Sequence, residues 1–264
     1  VRARVTTAGA RAKEKKRRRA RRRKEVQLRA SFLSRAGAAL SLTLAAVPAG
    51  AADARHPLVI ELFQSQGCSS CPPANANLFA WAARDDALAL NFAVDYWDSL
   101  GWKDTFAKPA FTARQWAYAR ALGHGEVYTP QTIVNGRADV TGADAAELQA
   151  LARSEDRGAG GPDLSIEAGR AVIGAGEAPP GGAEVWLARY DPATREVAVK
   201  RGENAGHLLP HAHVVVDLVL VGRWRGEPER IDLPAKTDPR LVDAVLVQAA
   251  GSGPILAAVK ERAE

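Results

Sequence analysis

The segment that most constrains this chain is Gln66-Gly67-Cys68-Ser69-Ser70-Cys71-Pro72-Pro73, which holds both cysteines and follows closely on the apolar run Leu58-Val59-Ile60-Glu61-Leu62-Phe63. The apolar run predicts a strand. Pro72 and Pro73 fit only the first turn of a helix, because a proline further in removes an N–H bond and collides with the preceding turn. Strand, short loop and helix in that order put Cys68 near a helix start, where unpaired N–H groups and the positive end of the helix dipole favour a thiolate. The two intervening residues keep Cys71 close enough to resolve a mixed disulfide. From this pattern alone a redox-active pair, an inert structural disulfide and half of a zinc site are all open. The zinc reading is the weakest, since a structural zinc needs four ligands and there is no second cysteine pair.

The first 51 residues carry 15 Lys or Arg against Glu14 and Glu25, a net charge of +13, while the remaining 213 residues carry a net −7. The formal +6 of the whole chain therefore describes neither part. The basic residues from Arg11 to Lys24 precede Ala36 to Val47, an apolar stretch of about a dozen residues, which suits the core of a secretory signal and is short for a bilayer span. Val47-Pro48-Ala49 and Ala49-Gly50-Ala51 both satisfy the small-x-small rule, which predicts cleavage after Ala49 or Ala51. The chain starts at Val1 and has no methionine, so a non-standard start is expected, with Val26 an alternative first residue. The expectation is an exported protein, periplasmic or secreted, in an oxidising compartment where a disulfide persists. On this reading the basic tail serves export, so no nucleic-acid partner and no stable membrane insertion after cleavage are expected.

Beyond the tail, residues 52–157 alternate strand-like and helix-like runs: Leu58 to Phe63, Ala74 to Arg84, Ala87 to Tyr96, Phe111 to Leu122, Gln131 to Asn135 and Asp144 to Ala152. That order argues an α/β unit. Residues 158–162, Gly-Ala-Gly-Gly-Pro, read as a linker. In residues 163–264 helical period is mostly lost, and Leu164 to Ala168, Ala183 to Tyr190, Glu196 to Arg201, His213 to Trp224 and Asp243 to Ala249 are β-branched or alternating runs between turns. A small antiparallel β domain, sandwich-like, is expected there.

Joined to Tyr128-Thr129-Pro130-Gln131-Thr132-Ile133-Val134-Asn135-Gly136, the Cys68-Ser69-Ser70-Cys71 motif makes the first domain resemble the thioredoxin superfamily. The resemblance implies a thioredoxin-like α/β domain and a cis Thr129-Pro130 bond beside the cysteines, where the backbone binds substrate. Glu61 to Ala74, Tyr128 to Gln131 and Arg201-Gly202-Glu203-Asn204 together resemble the exported family catalogued as domain of unknown function 1223, over nearly the whole mature chain. There is no tryptophan before Cys68, no Gly-Pro between the cysteines and no lysine after Cys71, so redox potential and partner choice do not carry over from thioredoxin.

Glu61 is a carboxylate in an otherwise apolar strand. Burial would raise its pKa and suit it to exchange a proton with the second cysteine; a strand-end acid facing water is the bland alternative. Tyr96, Trp97, Trp102, Phe106, Phe111 and Trp116 are the densest aromatic stretch, divided between core and a groove for an extended peptide. Tyr96 and Trp97, with Thr129 and Pro130, are the expected substrate contacts. His211 and His213 share one strand face by period two, with His207 nearby, and no metal site is assigned to them. The expected function is an exported thiol-disulfide oxidoreductase in which Cys68 attacks, Cys71 resolves and Glu61 carries protons. No cofactor is needed, and the partners are thiol or disulfide client proteins and a redox-recycling partner. The alternatives are a non-catalytic binding module with a structural disulfide and a metal-handling thiol protein.

Overall fold

The computed structural model describes residues 51–261. The basic tail, the apolar stretch and the expected cleavage after Ala49 lie outside the described residues, and the Ala51 site falls at their edge. Among the described helices none is long and apolar enough to cross a membrane.

Thirteen strands and three α-helices make up the described chain. The first half runs β1 (Leu58–Gln64), α1 (Cys71–Ala82), β2 (Ala87–Ala93), α2 (Pro109–Leu122), β3 (Gln131–Val134), β4 (Ala138–Val140) and α3 (Ala145–Ser154). The second half runs β5 (Leu164–Glu167), β6 (Arg170–Ile173), β7 (Ala183–Asp191), β8 (Arg195–Ala198), β9 (Leu208–His211), β10 (Val214–Trp224), β11 (Glu229–Asp232), β12 (Val242–Ala249) and β13 (Ile255–Lys260).

Eight of these strands form one mixed sheet in the order β13-β12-β7-β10-β2-β1-β3-β4. β1 and β2 are parallel in full register from Leu58↔Ala87 to Gln64↔Ala93. The halves join where β10 runs parallel to β2 at Val214↔Asn91, after which β10, β7, β12 and β13 continue antiparallel. This single sheet overturns the expected fold class, a thioredoxin-like α/β domain followed by a small antiparallel sandwich. The strands read as that sandwich are mostly the continuation of the first sheet. A pairing between Asn91 and Val214 links positions over 120 residues apart, and local periodicity carries no record of it. The remaining strands form a three-stranded sheet, β11-β6-β5, and the β8–β9 hairpin.

The alternation of β1 and β2 sorts side chains onto two faces. Leu58, Ile60, Leu62, Ala87 and Ala89 pack with Ala74, Leu78 and Trp81 of α1. Val59, Phe63, Leu88, Leu90 and Phe92 pack with Phe111 and Tyr118 of α2 and with Leu246, Ile255 and Ala258 of β12 and β13. The sheet thus curls, bringing β13 back towards its other end, where Lys260 Nζ donates to the carbonyls of Arg84 and Ala87 and the Ile255 N–H donates to the Asn135 carbonyl. A third cluster, around Trp224, Val245 and Val247, lies under β6.

Candidate functional site

Cys68 and Cys71 form a disulfide at the start of α1. Pro72 and Pro73 occupy its first turn, as their chemistry requires. They also thin out the free donors there, since neither proline has an N–H and the Cys71 N–H bonds to the Cys68 carbonyl. Less of the helix end is left to hold a Cys68 thiolate than the sequence suggests. The Ser70 hydroxyl lies 3.3 Å from Cys68 Sγ and donates to the Thr129 carbonyl at 3.4 Å.

The loop ahead of the helix is anchored by buried groups. Asp104 accepts from the backbone N–H of Gln66 at 2.6 Å and of Phe106 at 2.9 Å. Burial pushes the Asp104 carboxyl up to about 6, and these hydrogen bonds only partly oppose that. The fully buried Gln66 side chain accepts from Trp102 Nε1 at 2.9 Å and donates to Thr105 Oγ1 at 2.9 Å.

From the second half of the chain, the loop between β8 and β9 folds over the disulfide. Gly202, at φ +79°, makes the turn against Trp102. Next to it Asn204 Nδ2 donates to the carbonyls of both Gln66 and Cys68 at 2.9 Å. Glu203 accepts from the Ser69 N–H at 3.1 Å and from its hydroxyl at 2.7 Å, and these hydrogen bonds hold its carboxyl below the usual range. The sequence suggests for these residues a turn with a charge pair or a contact to the first half of the chain; Glu203 and Asn204 make that contact, over the cysteines. Cys68 is 0% exposed and Cys71 2%. Both cysteines are therefore shielded in the oxidised protein.

Thr129-Pro130 is cis, as the resemblance implied. The structure brings Thr129 to the disulfide through Ser70, and Trp97 Nε1 donates to Thr129 Oγ1 at 2.8 Å. Pro130 is buried, while Tyr96 is half-buried and packs with Trp97 against the core shared with α2.

Glu61 is not brought to the cysteines. It projects from the face of β1 opposite α1, wholly buried, where Arg114 donates to both of its oxygens at 2.5 and 2.9 Å and the Tyr118 hydroxyl donates at 2.5 Å. Gln248 closes the network on Arg114 and Tyr118. Burial alone would lower the Arg114 pKa, but the Glu61 charge more than offsets it and holds the guanidinium above its ordinary value. With three donors on its two oxygens, on the face of β1 opposite α1, this carboxylate is held in an internal ion pair. The expected proton carriage by Glu61 is corrected accordingly.

A cavity of about 370 Å³ lies between α1 and the β8–β9 hairpin, its wall formed by Cys71, Pro72, Asn75 and Phe79 on one side and Leu209 and His211 on the other. His211 is 1% exposed, its ring meets the edge of Phe106 at 5.6 Å, and among the described residues neither ring nitrogen has a hydrogen-bond partner. Leaving such a group unpaired costs about 1–3 kcal/mol. Burial pushes its pKa down to about 4, so the ring is neutral at neutral pH. His213, by contrast, takes a left-handed backbone (φ 47°), packs at a 43° tilt against Tyr190 and faces the Ala89 carbonyl through Nδ1. The two histidines thus belong to different surroundings. No cluster of three metal-ligating side chains occurs among the described residues. Sequence reasoning missed Asp104, and it placed His211 on a strand face without seeing that it lines the same cavity as Cys71.

The fold and site define a β-rich protein whose Cys-x-x-Cys disulfide lies at a helix start, under a hairpin supplied by the far half of the chain. The chain belongs to the DUF1223 family, described as "Protein of unknown function", which matches residues 59–248. A crystal structure of an Agrobacterium tumefaciens protein is similar at 35% identity and a TM-score of 0.66, over 78% of this chain and 96% of that one. HBP35 of Porphyromonas gingivalis shares the fold at 14% identity and a TM-score of 0.52, over 78% of this chain and 75% of that one. No curated protein matches the chain.

Proposed function

We infer that this protein is an exported thiol-disulfide oxidoreductase working through the Cys68–Cys71 couple. The observation that carries the reading is that the disulfide lies at a helix start beside a cavity whose wall includes Cys71. A disulfide serving only as a staple needs no cavity against it. In the oxidised protein a client thiolate attacks one sulfur and displaces the other as a thiolate; a second client thiol then attacks the mixed disulfide. The client loses two electrons and two protons and gains a disulfide, and the cysteine pair is reduced. A disulfide-bearing partner reverses the same steps to restore the pair. Thr129, Pro130 and Trp97, tied to the disulfide through Ser70, are the contacts proposed for an extended client. Export is supported by the basic tail followed by an apolar stretch, and it would place the couple where disulfides persist.

A structural staple is the second reading, favoured by the burial of both sulfurs and the cover provided by Asn204. The two separate on Cys68→Ser and Cys71→Ser, each expressed in its own cell envelope. The oxidoreductase reading expects one of them to accumulate mixed disulfides detectable by mass spectrometry; adducts on neither leave the staple.

A further inference from the structure

We propose that Ser70 is the catalytic residue that holds Cys68 as a thiolate, its hydroxyl turning from the Thr129 carbonyl to the sulfur when the disulfide opens. This inference rests on the oxidoreductase reading and adds which cysteine is activated and by which group.

Three observations carry it. Ser70 occupies the cap position of α1, where a serine hydroxyl ordinarily accepts from the N–H of the second or third helical residue, yet it makes no such bond. Those residues are Pro72 and Pro73, which have no N–H to give. The chain thus places a capping side chain at a helix end that has no use for it. Secondly, the hydroxyl has one proton and two acceptors in reach, Cys68 Sγ at 3.3 Å and the Thr129 carbonyl at 3.4 Å. A disulfide sulfur is a weak acceptor, so in the oxidised protein the proton belongs with the carbonyl, at a distance long for an O–H···O bond. A thiolate is the stronger acceptor of the two and takes it over. Thirdly, little else is available to the anion. Cys68 is wholly buried, which raises the cost of its charge. The Ser69 N–H is taken by Glu203 and the Cys71 N–H by the Cys68 carbonyl. The charged groups bonded to this loop, Glu203 at Ser69 and Asp104 at Gln66, are both acids. α1 carries no ionisable side chain besides Cys71, and His211, which lines a cavity with Cys71, is neutral at neutral pH. Burial and two carboxylates oppose the thiolate, and Ser70 supplies a donor in its favour.

In the reduced protein Cys68 loses its proton to solvent and the thiolate accepts from the Ser70 hydroxyl. Its sulfur attacks a client disulfide R–S–S–R, a Cys68–S–S–R mixed disulfide forms, and R–S⁻ leaves and takes a proton from water. Cys71, losing its own proton, attacks Cys68 Sγ and expels the second R–S⁻, which is protonated in turn. The client gains two electrons and two protons, the pair becomes the disulfide again, and the Ser70 proton returns to the Thr129 carbonyl.

The test titrates Cys68 by its ultraviolet thiolate absorbance in the full chain carrying Cys71→Ala, where it is the remaining thiol, alone and with Ser70→Ala, Ser70→Thr or Ser69→Ala. Ser70→Ala should raise the Cys68 pKa by about one unit, a tenfold loss in dissociation, at the lower end for a hydrogen bond to a charged group because Ser70 is exposed. Ser70→Thr, which keeps the hydroxyl, should stay close to the parent. Ser69→Ala, whose hydroxyl serves Glu203 instead, should shift the pKa by less than half as much. With both cysteines present, the reduced protein is then mixed with bis(2-hydroxyethyl) disulfide across pH. Because the nucleophilicity of a thiolate rises with its pKa at about half the rate at which thiolate is lost, Ser70→Ala should react about threefold more slowly below the Cys68 pKa and about threefold faster well above it. An unmoved Cys68 pKa, a larger shift in Ser69→Ala, a Ser70→Thr no better than Ser70→Ala, or rates that never cross would overturn this inference and leave the exchange reading standing. A reduced protein that reacts with the disulfide at no pH would overturn the exchange reading itself.

Discussion

Two buried polar clusters flank the first strands of the sheet, and they differ in how completely they are satisfied. On the face towards α2, Glu61, Arg114, Tyr118 and Gln248 spend their hydrogen bonds on one another. At the start of α1, His211 spends none, and it shares a cavity wall with a disulfide. A network of this kind fixes the packing of β1, α2 and β12. An unsatisfied one forgoes stability locally. Burial of a charged residue is thus a poor guide to function by itself; what separates the clusters is the number of donors and acceptors left over.

The largest expected effect lies in the closed cluster. Arg114→Leu strands the Glu61 carboxylate in the core and should cost about 3–5 kcal/mol in chemical denaturation. Removing both charges in Glu61→Leu/Arg114→Leu should recover much of that loss. A small cost for the single variant would mean that the two clusters do not differ as described. At the open cluster, Asn204→Ala deprives the Gln66 and Cys68 carbonyls of their donor and should cost about 1–2 kcal/mol. It should also speed reduction of the disulfide by added thiol, which thiol-labelling kinetics would read.

The smallest effect is in the pH profile, where two groups near the disulfide oppose each other. The Asp104 pKa is raised from 3.8 to about 6 in the fold, so its contribution is complete below about 4 and lost as pH rises through 6. The His211 pKa is lowered from 6.5 to about 4, so its contribution is complete above 6.5 and lost as pH falls towards 4. Between pH 4 and 6 the slopes offset one another. Asp104→Asn removes one of them, and its stability should fall on acidification from pH 6 to 4 more steeply than that of the unsubstituted protein, by about 1 kcal/mol per pH unit. Parallel profiles would refute the assignment.

Much of the local structure was legible. β1, α1, β2, α2, β3 and α3 fall within a few residues of the periodic runs that predict them, and Asp144 caps α3 through the N–H groups of Ala146 and Glu147. Apart from β13, six residues from Ile255 to Lys260, the strands that escaped notice are short or interrupted. β4 has three residues, β6 and β11 have four each, and β9 contains Pro210, a residue that argues against a strand. The site was legible in the same measure. Cys68, Cys71, Thr129 and Pro130 come from motifs, whereas Asp104, Asn204 and His211 reach the disulfide only through tertiary packing of distant segments. Glu61 shows the converse, since its position in an apolar run raised burial as one of two readings and its partner sits 53 residues away on α2.

The central claim is that the Cys68–Cys71 disulfide exchanges with thiols, and its reduction potential tests that most directly. Equilibration of the protein against graded ratios of reduced and oxidised dithiothreitol, with the two states separated by thiol labelling, gives the value. The account predicts a potential between about −120 and −270 mV, among couples that turn over. A potential below about −300 mV, as structural disulfides have, would contradict it.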